Sequence, residues 1–129
     1  MEVITRIGLV ALGGALGSVS RYLLSASIPA WLGRIFLWGT FSVNVIGSFL
    51  IGIAWAYFES HDSLTHFRLF IIVGILGGFT TFSSFSLESI TLLKDGHTNL
   101  AILYILMTNV VAIISAYGAY AIFKNIFST

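Results

Sequence analysis

The chain has no cysteine. Disulfides, thiolate nucleophiles and Cys-based zinc sites are therefore excluded together, and redox chemistry says nothing about the compartment. Charge is nearly as scarce. Charged residues make up 9% of the chain, against about 25% in soluble proteins. The formal net charge is +1, which leaves no electrostatic footprint for a nucleic acid. The three histidines, His61, His66 and His97, all fall in polar stretches between apolar runs. They have no metal-ligand spacing and build no Ser/His/Asp set, and no basic residue follows the Gly77-Gly78 pair to make a phosphate loop. The chain is not expected to be an enzyme. A cleavable leader is not expected either, because no small-residue cleavage site leads from the first apolar run into a soluble domain.

What the chain does have is apolar sequence. Hydrophobic residues make up 57% of its 129 residues and the mean hydropathy is +1.00. That composition suits a protein solvated by the lipid bilayer and leaves too little polar surface for a soluble one. The few charges mark the ends of four runs: residues 4–28, 35–58, 69–93 and 100–123. The second run carries no charge over its 24 residues; as a helix it is roughly 36 Å long, against a hydrocarbon core of about 30 Å. Trp38, Trp55 and Tyr57 lie near its ends as interfacial anchors. Pro29, Gly33 and Arg34 read as the first link, the polar stretch Glu59 to Arg68 as the second, and Lys94-Asp95-Gly96 as a turn. The expected fold is an all-α integral membrane protein, with residues 1–129 forming a single four-span transmembrane domain. Gly13 with Gly17, and Ser48 with Gly52, have the four-residue spacing that lets helices approach closely in lipid.

Four spans put both termini on one side. That side carries Arg6, Arg68 and Lys124; the other carries Arg34 and Lys94, with Arg21 if it reaches out. So even a distribution gives the positive-inside rule no clear direction. Such a chain can insert both ways and pair as an antiparallel homodimer, and four helices leave little room for a pathway within one copy.

The third run is unlike the others. Gly77-Gly78 lies about a third of the way along it, and Thr80, Thr81, Ser83, Ser84 and Ser86 follow. Paired glycines weaken a helix by roughly 1 kcal/mol each relative to alanine. Non-helical backbone at membrane depth is tolerated where it is buried in protein or lines a wet cavity, and it offers carbonyls and half-helix ends to ions. Residues 77–81 are accordingly expected to break this span near its middle. Beyond them Phe82 and Phe85 share a helix face. The positive edge of an aromatic ring meets an anion without presenting a full charge, and weak repeated contacts let an ion move through. Asn44 in the second run brings an amide donor; Tyr104 and Thr108, four apart in the fourth, share a face, with Asn109 beside them. Glu88 is the only acid inside a run, which makes it a functional candidate. Arg21 either draws anions into a vestibule or anchors its helix. The residues alone point to a pathway for a small anion.

These residues are familiar as a set. Gly77-Gly78-Phe79-Thr80-Thr81-Phe82-Ser83-Ser84-Phe85-Ser86 followed by Glu88 resembles the signature of the Fluc/CrcB fluoride channel family. The run Gly13 to Tyr22, the run Gly39-Thr40 through Asn44 to Gly47, and the Tyr104/Thr108 pair resemble its other motifs, so the likeness covers the whole chain. It implies a passive fluoride-export channel in the bacterial inner membrane that relieves fluoride toxicity, built as an antiparallel, dual-topology homodimer with two pores. It implies that Phe82 and Phe85 meet fluoride with their ring edges and that Asn44 donates beside them. Ser83, Ser84 and Glu88 would line the later part of the path, Tyr104 and Thr108 a polar track, and Arg21 the vestibule. It also implies a structural sodium ion at the dimer interface, on the backbone carbonyls of Gly77 and Thr80 from both copies. Ser84 and Ala112 depart from the pattern: Ser84 keeps the hydroxyl and Ala112 loses one. The alternative is a proton-coupled exporter resembling the small-multidrug-resistance type, but that class needs an acid in the first span, where this chain has only Arg21.

Overall fold

The computed structural model describes residues 1–32 and 37–128. Every regular element among them is helical. We label them α1 (Glu2–Leu32), α2 (Trp38–Glu59), α3 (residues 65–79), α4 (Phe82–Lys94) and α5 (Thr98–Phe127), with one 3₁₀ turn, Asp62–Leu64, before α3. Four stretches are long and apolar enough to cross a membrane, the third comprising α3 and α4 together. The first helix runs on through Pro29 to Leu32 instead of ending in a link at Ile28. Lacking an N–H, Pro29 leaves the helix without one i→i−4 bond in its last turn. Gly33, Arg34 and Ile35 lie outside the described residues.

Helix α2 packs along α5, and α1 along α3; α4 rests more lightly on α5. Only a small set of apolar side chains is buried, among them Val43, Phe79, Phe85 and Tyr104, while Leu12, Leu16, Ile113 and Tyr117 face outward. Such a surface is stable only against lipid or another apolar partner.

The α1–α3 seam is made by glycine. A Cβ on Gly17 would stand 2.0 Å from the Ile75 carbonyl oxygen, and one on Gly13 would stand 2.5 Å from that of Phe70. Both obstacles are backbone, so neither can turn aside. Across α2 and α5, Gly52 approaches the Ala116 carbonyl in the same way, at 2.2 Å from the Cβ it lacks. Gly17→Ala should therefore lower stability by about 1–3 kcal/mol, the usual cost of overpacking. Gly8→Ala, with no atom within 4 Å of the added carbon, should leave it unchanged or raised by up to about 1 kcal/mol through helix propensity. Unfolding in detergent micelles distinguishes the two variants; equal midpoints would contradict the seam.

Along the third stretch, Leu69–Leu76 is wound as a wide π-helix, and Gly77–Phe79 continues as α-helix. Thr80 (φ −77°, ψ 156°) and Thr81 (φ −148°, ψ 117°) are extended, and α4 begins at Phe82. The expectation of non-helical backbone over residues 77–81 is thus corrected to Thr80 and Thr81 alone. The reason is packing: a Cβ on Gly78 would meet the Gly14 carbonyl oxygen at 2.6 Å, so this glycine admits α1 at close range while staying helical. After α4, Gly96 has φ 79°, and the N–H groups of His97 and Gly96 return to the carbonyls of Leu92 and Leu93. This paired closure needs the left-handed residue that glycine supplies at low steric cost.

Candidate functional site

Two adjacent extended residues leave backbone groups without helical partners, and other helices supply most of the replacements. Along an unbroken helix the Thr81 N–H would reach the Gly77 carbonyl. Here it donates to Asn44 Oδ1 at 2.8 Å, while Asn44 Nδ2 donates to the Thr81 carbonyl at 2.9 Å. One amide from α2 thus satisfies both backbone groups of Thr81. From α1, Ser18 Oγ lies 3.5 Å from the Gly78 carbonyl oxygen and Arg21 Nη1 3.4 Å from that of Thr80. Thr80 N–H and its hydroxyl both return to the Leu76 carbonyl, each at 3.0 Å.

Thr81 then caps α4. Its Oγ1 accepts the Ser84 N–H at 3.1 Å and is within hydrogen-bond distance of the hydroxyls of Ser83 and Ser84. Hydroxyl caps satisfy one of the donors that every helix start leaves over. Ser86 and Ser89, one turn and two turns on, bond back to the carbonyls of Phe82 and Phe85. The hydroxyl-rich run therefore divides: Thr81, Ser83 and Ser84 form a cluster at the helix start, and the later serines are self-satisfied.

Phe82 and Phe85 stand with ring centroids 5.5 Å apart and planes tilted by 48°. Their surroundings differ. Phe85 is 7% exposed and rests on Tyr104, centroids 5.4 Å apart, whereas Phe82 is 74% exposed. The acid expected to line the path is held at both oxygens: Thr40 Oγ1 donates to Glu88 Oε1 at 2.7 Å and the Tyr104 hydroxyl donates to Oε2 at 2.5 Å. Glu88 therefore joins α2, α4 and α5.

Two cavities flank Thr81. One, of about 270 Å³, is lined by Asn44, Thr81, Phe82, Phe85 and Thr108, among others. The other, of about 220 Å³, is lined by Ser18, Arg21, Ser25, Thr40 and Ser84. Thr81 lines both. The hydroxyl of Thr108, 4% exposed, is buried and has no hydrogen-bond partner among the described residues. Buried polar groups are nearly always satisfied, so an orphan in a native protein calls for a reason such as an ion or water. Asn109 instead donates to the Ile105 carbonyl of its own helix.

The structure thus brings Asn44, Phe82, Phe85, Thr108, Ser84 and Arg21 to the two cavities at the bend, with Ser83 in the hydroxyl cluster, whereas Tyr104 and Glu88 line neither cavity and bond to each other. Thr40 and Thr81 were missing from the sequence-derived set. Thr40 sits four residues before Asn44, on the same face of α2, and that spacing was a usable signal; its partner Glu88, 48 residues away, was not visible. Among the described residues no three His, Cys, Asp or Glu side chains converge as a metal cluster.

The model of the family described as CrcB-like protein, Camphor Resistance (CrcB), matches residues 8–120. A protein of Magnetococcus marinus named fluoride-specific ion channel FluC is 45% identical over 113 residues, covering 87% of this chain and 92% of its own. A protein of the same name from Agrobacterium fabrum is 44% identical over 122 residues, 94% of this chain and 98% of its own. Another from Thermus thermophilus is 51% identical over 96 residues, 74% and 77% of the two chains.

Proposed function

Because this chain belongs to the CrcB family, we propose that it conducts fluoride passively out of the cell through the cavities around Thr81. It is a multi-pass protein of the bacterial inner membrane, and it acts as a fluoride-specific ion channel. The observation that carries the site reading is the buried Thr108 hydroxyl, without a hydrogen-bond partner among the described residues and lining the same cavity as Asn44, Phe82 and Phe85.

Fluoride is small and strongly hydrated, so a pathway must replace its water. Hydroxyl donors, one remaining N–H of Asn44 and the ring edges of Phe82 and Phe85 are weak donors in series. Weak, repeated sites let an ion enter and leave. Arg21, lining the second cavity, raises the local concentration of anions without binding them tightly. Ser83 and Ser84 continue the path from Thr81, and Tyr104 shares its buried face with Thr108. Glu88 holds the wall through Thr40 and Tyr104.

The working unit is an antiparallel homodimer of dual topology, with the third span broken at Thr80-Thr81. The outward exposure of Phe82 supports a second copy against this face. So does the near-even charge of the two sides. Sodium fits the carbonyls of Gly77 and Thr80. Gly77 is exposed, the N–H that a helix would direct to its carbonyl is bound to Asn44, and Thr80 accepts only a long contact from Arg21. Two carbonyls from one copy are too few for a hard cation, which takes oxygen ligands in larger number, and a second copy would bring the set to four. A bound sodium supplies a fixed positive charge between the two copies.

Liposomes loaded with fluoride and carrying the purified protein should release it to a fluoride electrode once the membrane potential is dissipated. An intact dimer that releases none would contradict the reading. Exchanging all sodium for a bulky organic cation should slow release; indifference to sodium would remove the Gly77 and Thr80 site.

A further inference from the structure

We infer that Asn44 is a positioning residue: its amide sets the extended conformation of Thr81, and through it the start of α4 and the two phenylalanines. This deepens the pathway reading above and rests on it, but it assigns Asn44 a task separate from touching the ion.

The geometry is specific. Asn44 and Thr81 are 37 residues apart, and the side-chain amide makes both bonds to one residue's backbone, at 2.8 and 2.9 Å. That is how a neighbouring strand would pair with Thr81. In a span surrounded by lipid, non-helical backbone persists only where it is buried in protein or lines a wet cavity. Thr81 is 7% exposed, so both groups need partners. Asn is the side chain that offers a donor and an acceptor side by side at this short reach.

The consequence passes along the chain. With its own backbone fixed, Thr81 presents Oγ1 to the Ser84 N–H, and α4 starts at Phe82. Phe82 is the first residue of that helix and Phe85 stands one turn on. Both rings therefore take their direction from the dihedrals of Thr81. If Asn44 releases them, Thr80 and Thr81 can both turn helical, the Thr81 N–H can return to the Gly77 carbonyl, and both rings rotate with the helix start. The second N–H of Asn44 stays available to the cavity it lines, so both tasks are compatible in one side chain.

Two measurements separate positioning from ion contact. In the first, the Thr81 amide is replaced by an ester through semisynthesis, which deletes the N–H that Asn44 accepts and also weakens the Thr80 carbonyl as an acceptor, so sodium is held saturating throughout. Asn44 keeps its full side chain. Fluoride efflux from liposomes should fall at least about tenfold, the effect of losing one hydrogen bond of about 1.4 kcal/mol. Efflux equal to the parent protein would overturn the inference. In the second, backbone amide exchange is followed by mass spectrometry in detergent, where no ion needs to move. Asn44→Ala should speed exchange over residues 80–85 by about tenfold or more, because local opening then costs less. Asn44→Gln, which keeps the amide but one methylene too far, should give an intermediate rate. Unchanged exchange in Asn44→Ala would overturn the inference even if that variant had lost its efflux. The exchange result stands or falls independently of whether fluoride is the ion carried.

Discussion

Replacing Phe82 and Phe85 together by Ile should reduce fluoride efflux about a hundredfold while the protein remains folded and assembled. Aromatic pairs gain about 0.5–1.5 kcal/mol from their ring quadrupoles, and a ring edge beside an anion is taken to be of the same order. Losing both removes up to about 3 kcal/mol, and every 1.36 kcal/mol is a factor of ten in rate. Isoleucine keeps most of the volume and all of the apolarity, so the change tests the quadrupole and leaves the packing largely in place. The two single variants should separate by their surroundings. Phe85 is buried against Tyr104 within one copy, and a swap there typically costs up to about 1.5 kcal/mol; Phe82 is largely exposed within one copy, so its replacement should leave the fold of the single chain intact and act at the face the second copy covers. Efflux at the parent rate in the double variant would remove the rings from the pathway.

Glu88→Ala should be the most damaging single change to the fold. The carboxylate is the common partner of Thr40 Oγ1 and the Tyr104 hydroxyl. Tyr104 is 0% exposed and Thr40 6%, so neither can turn to solvent. Leaving a buried donor unsatisfied costs about 1–3 kcal/mol, and hydrogen bonds to a charged group contribute about 1.5–3 kcal/mol each. A loss of about 3–5 kcal/mol is expected, seen as a lowered midpoint for unfolding in detergent. Glu88→Gln keeps an acceptor oxygen for one hydroxyl and should recover roughly half of that. An alanine variant as stable as the parent would mean that water reaches these hydroxyls and that the three-helix joint is not structural. Tyr104→Phe should show a smaller loss of about 1–3 kcal/mol, since it removes one of the two bonds but leaves the acceptor with Thr40.

The contrast between these two experiments reflects what a sequence can and cannot reveal. Spans are legible because hydropathy is a local property, and four apolar runs bounded by rare charges lead directly to four long helices. The concentration of phenylalanine and hydroxyls between Phe79 and Ser86 is equally local, and it falls where the backbone turns extended and α4 begins. Partners are not local. Asn44 reads as a donor for an ion because its amide stands in an apolar run; that it holds the backbone of Thr81 follows only from the packing of α2 beside that bend. Glu88 reads as a free acid at the end of its span, although two hydroxyls on other helices occupy both of its oxygens. Phe82 and Phe85 read as equivalent, yet one is covered by Tyr104 and the other faces outward. The glycine pair misled in a characteristic way. A glycine weakens a helix in isolation, but in a membrane seam its lack of a Cβ matters more, and Gly78 stays helical because Gly14 lies against it. The extended residues are instead threonines, which tolerate β-region backbone well and bring a capping hydroxyl with them.

The account rests on a pathway that replaces the water of fluoride with weak donors and refuses a larger anion. The most direct measurement loads liposomes with fluoride and chloride together and follows both with ion-selective electrodes after the potential is released. The account predicts rapid fluoride release with chloride retained, and loss of both the release and the discrimination when Phe82 and Phe85 are replaced. Chloride leaving at a rate comparable to fluoride, or neither ion leaving through an intact dimer, would contradict it.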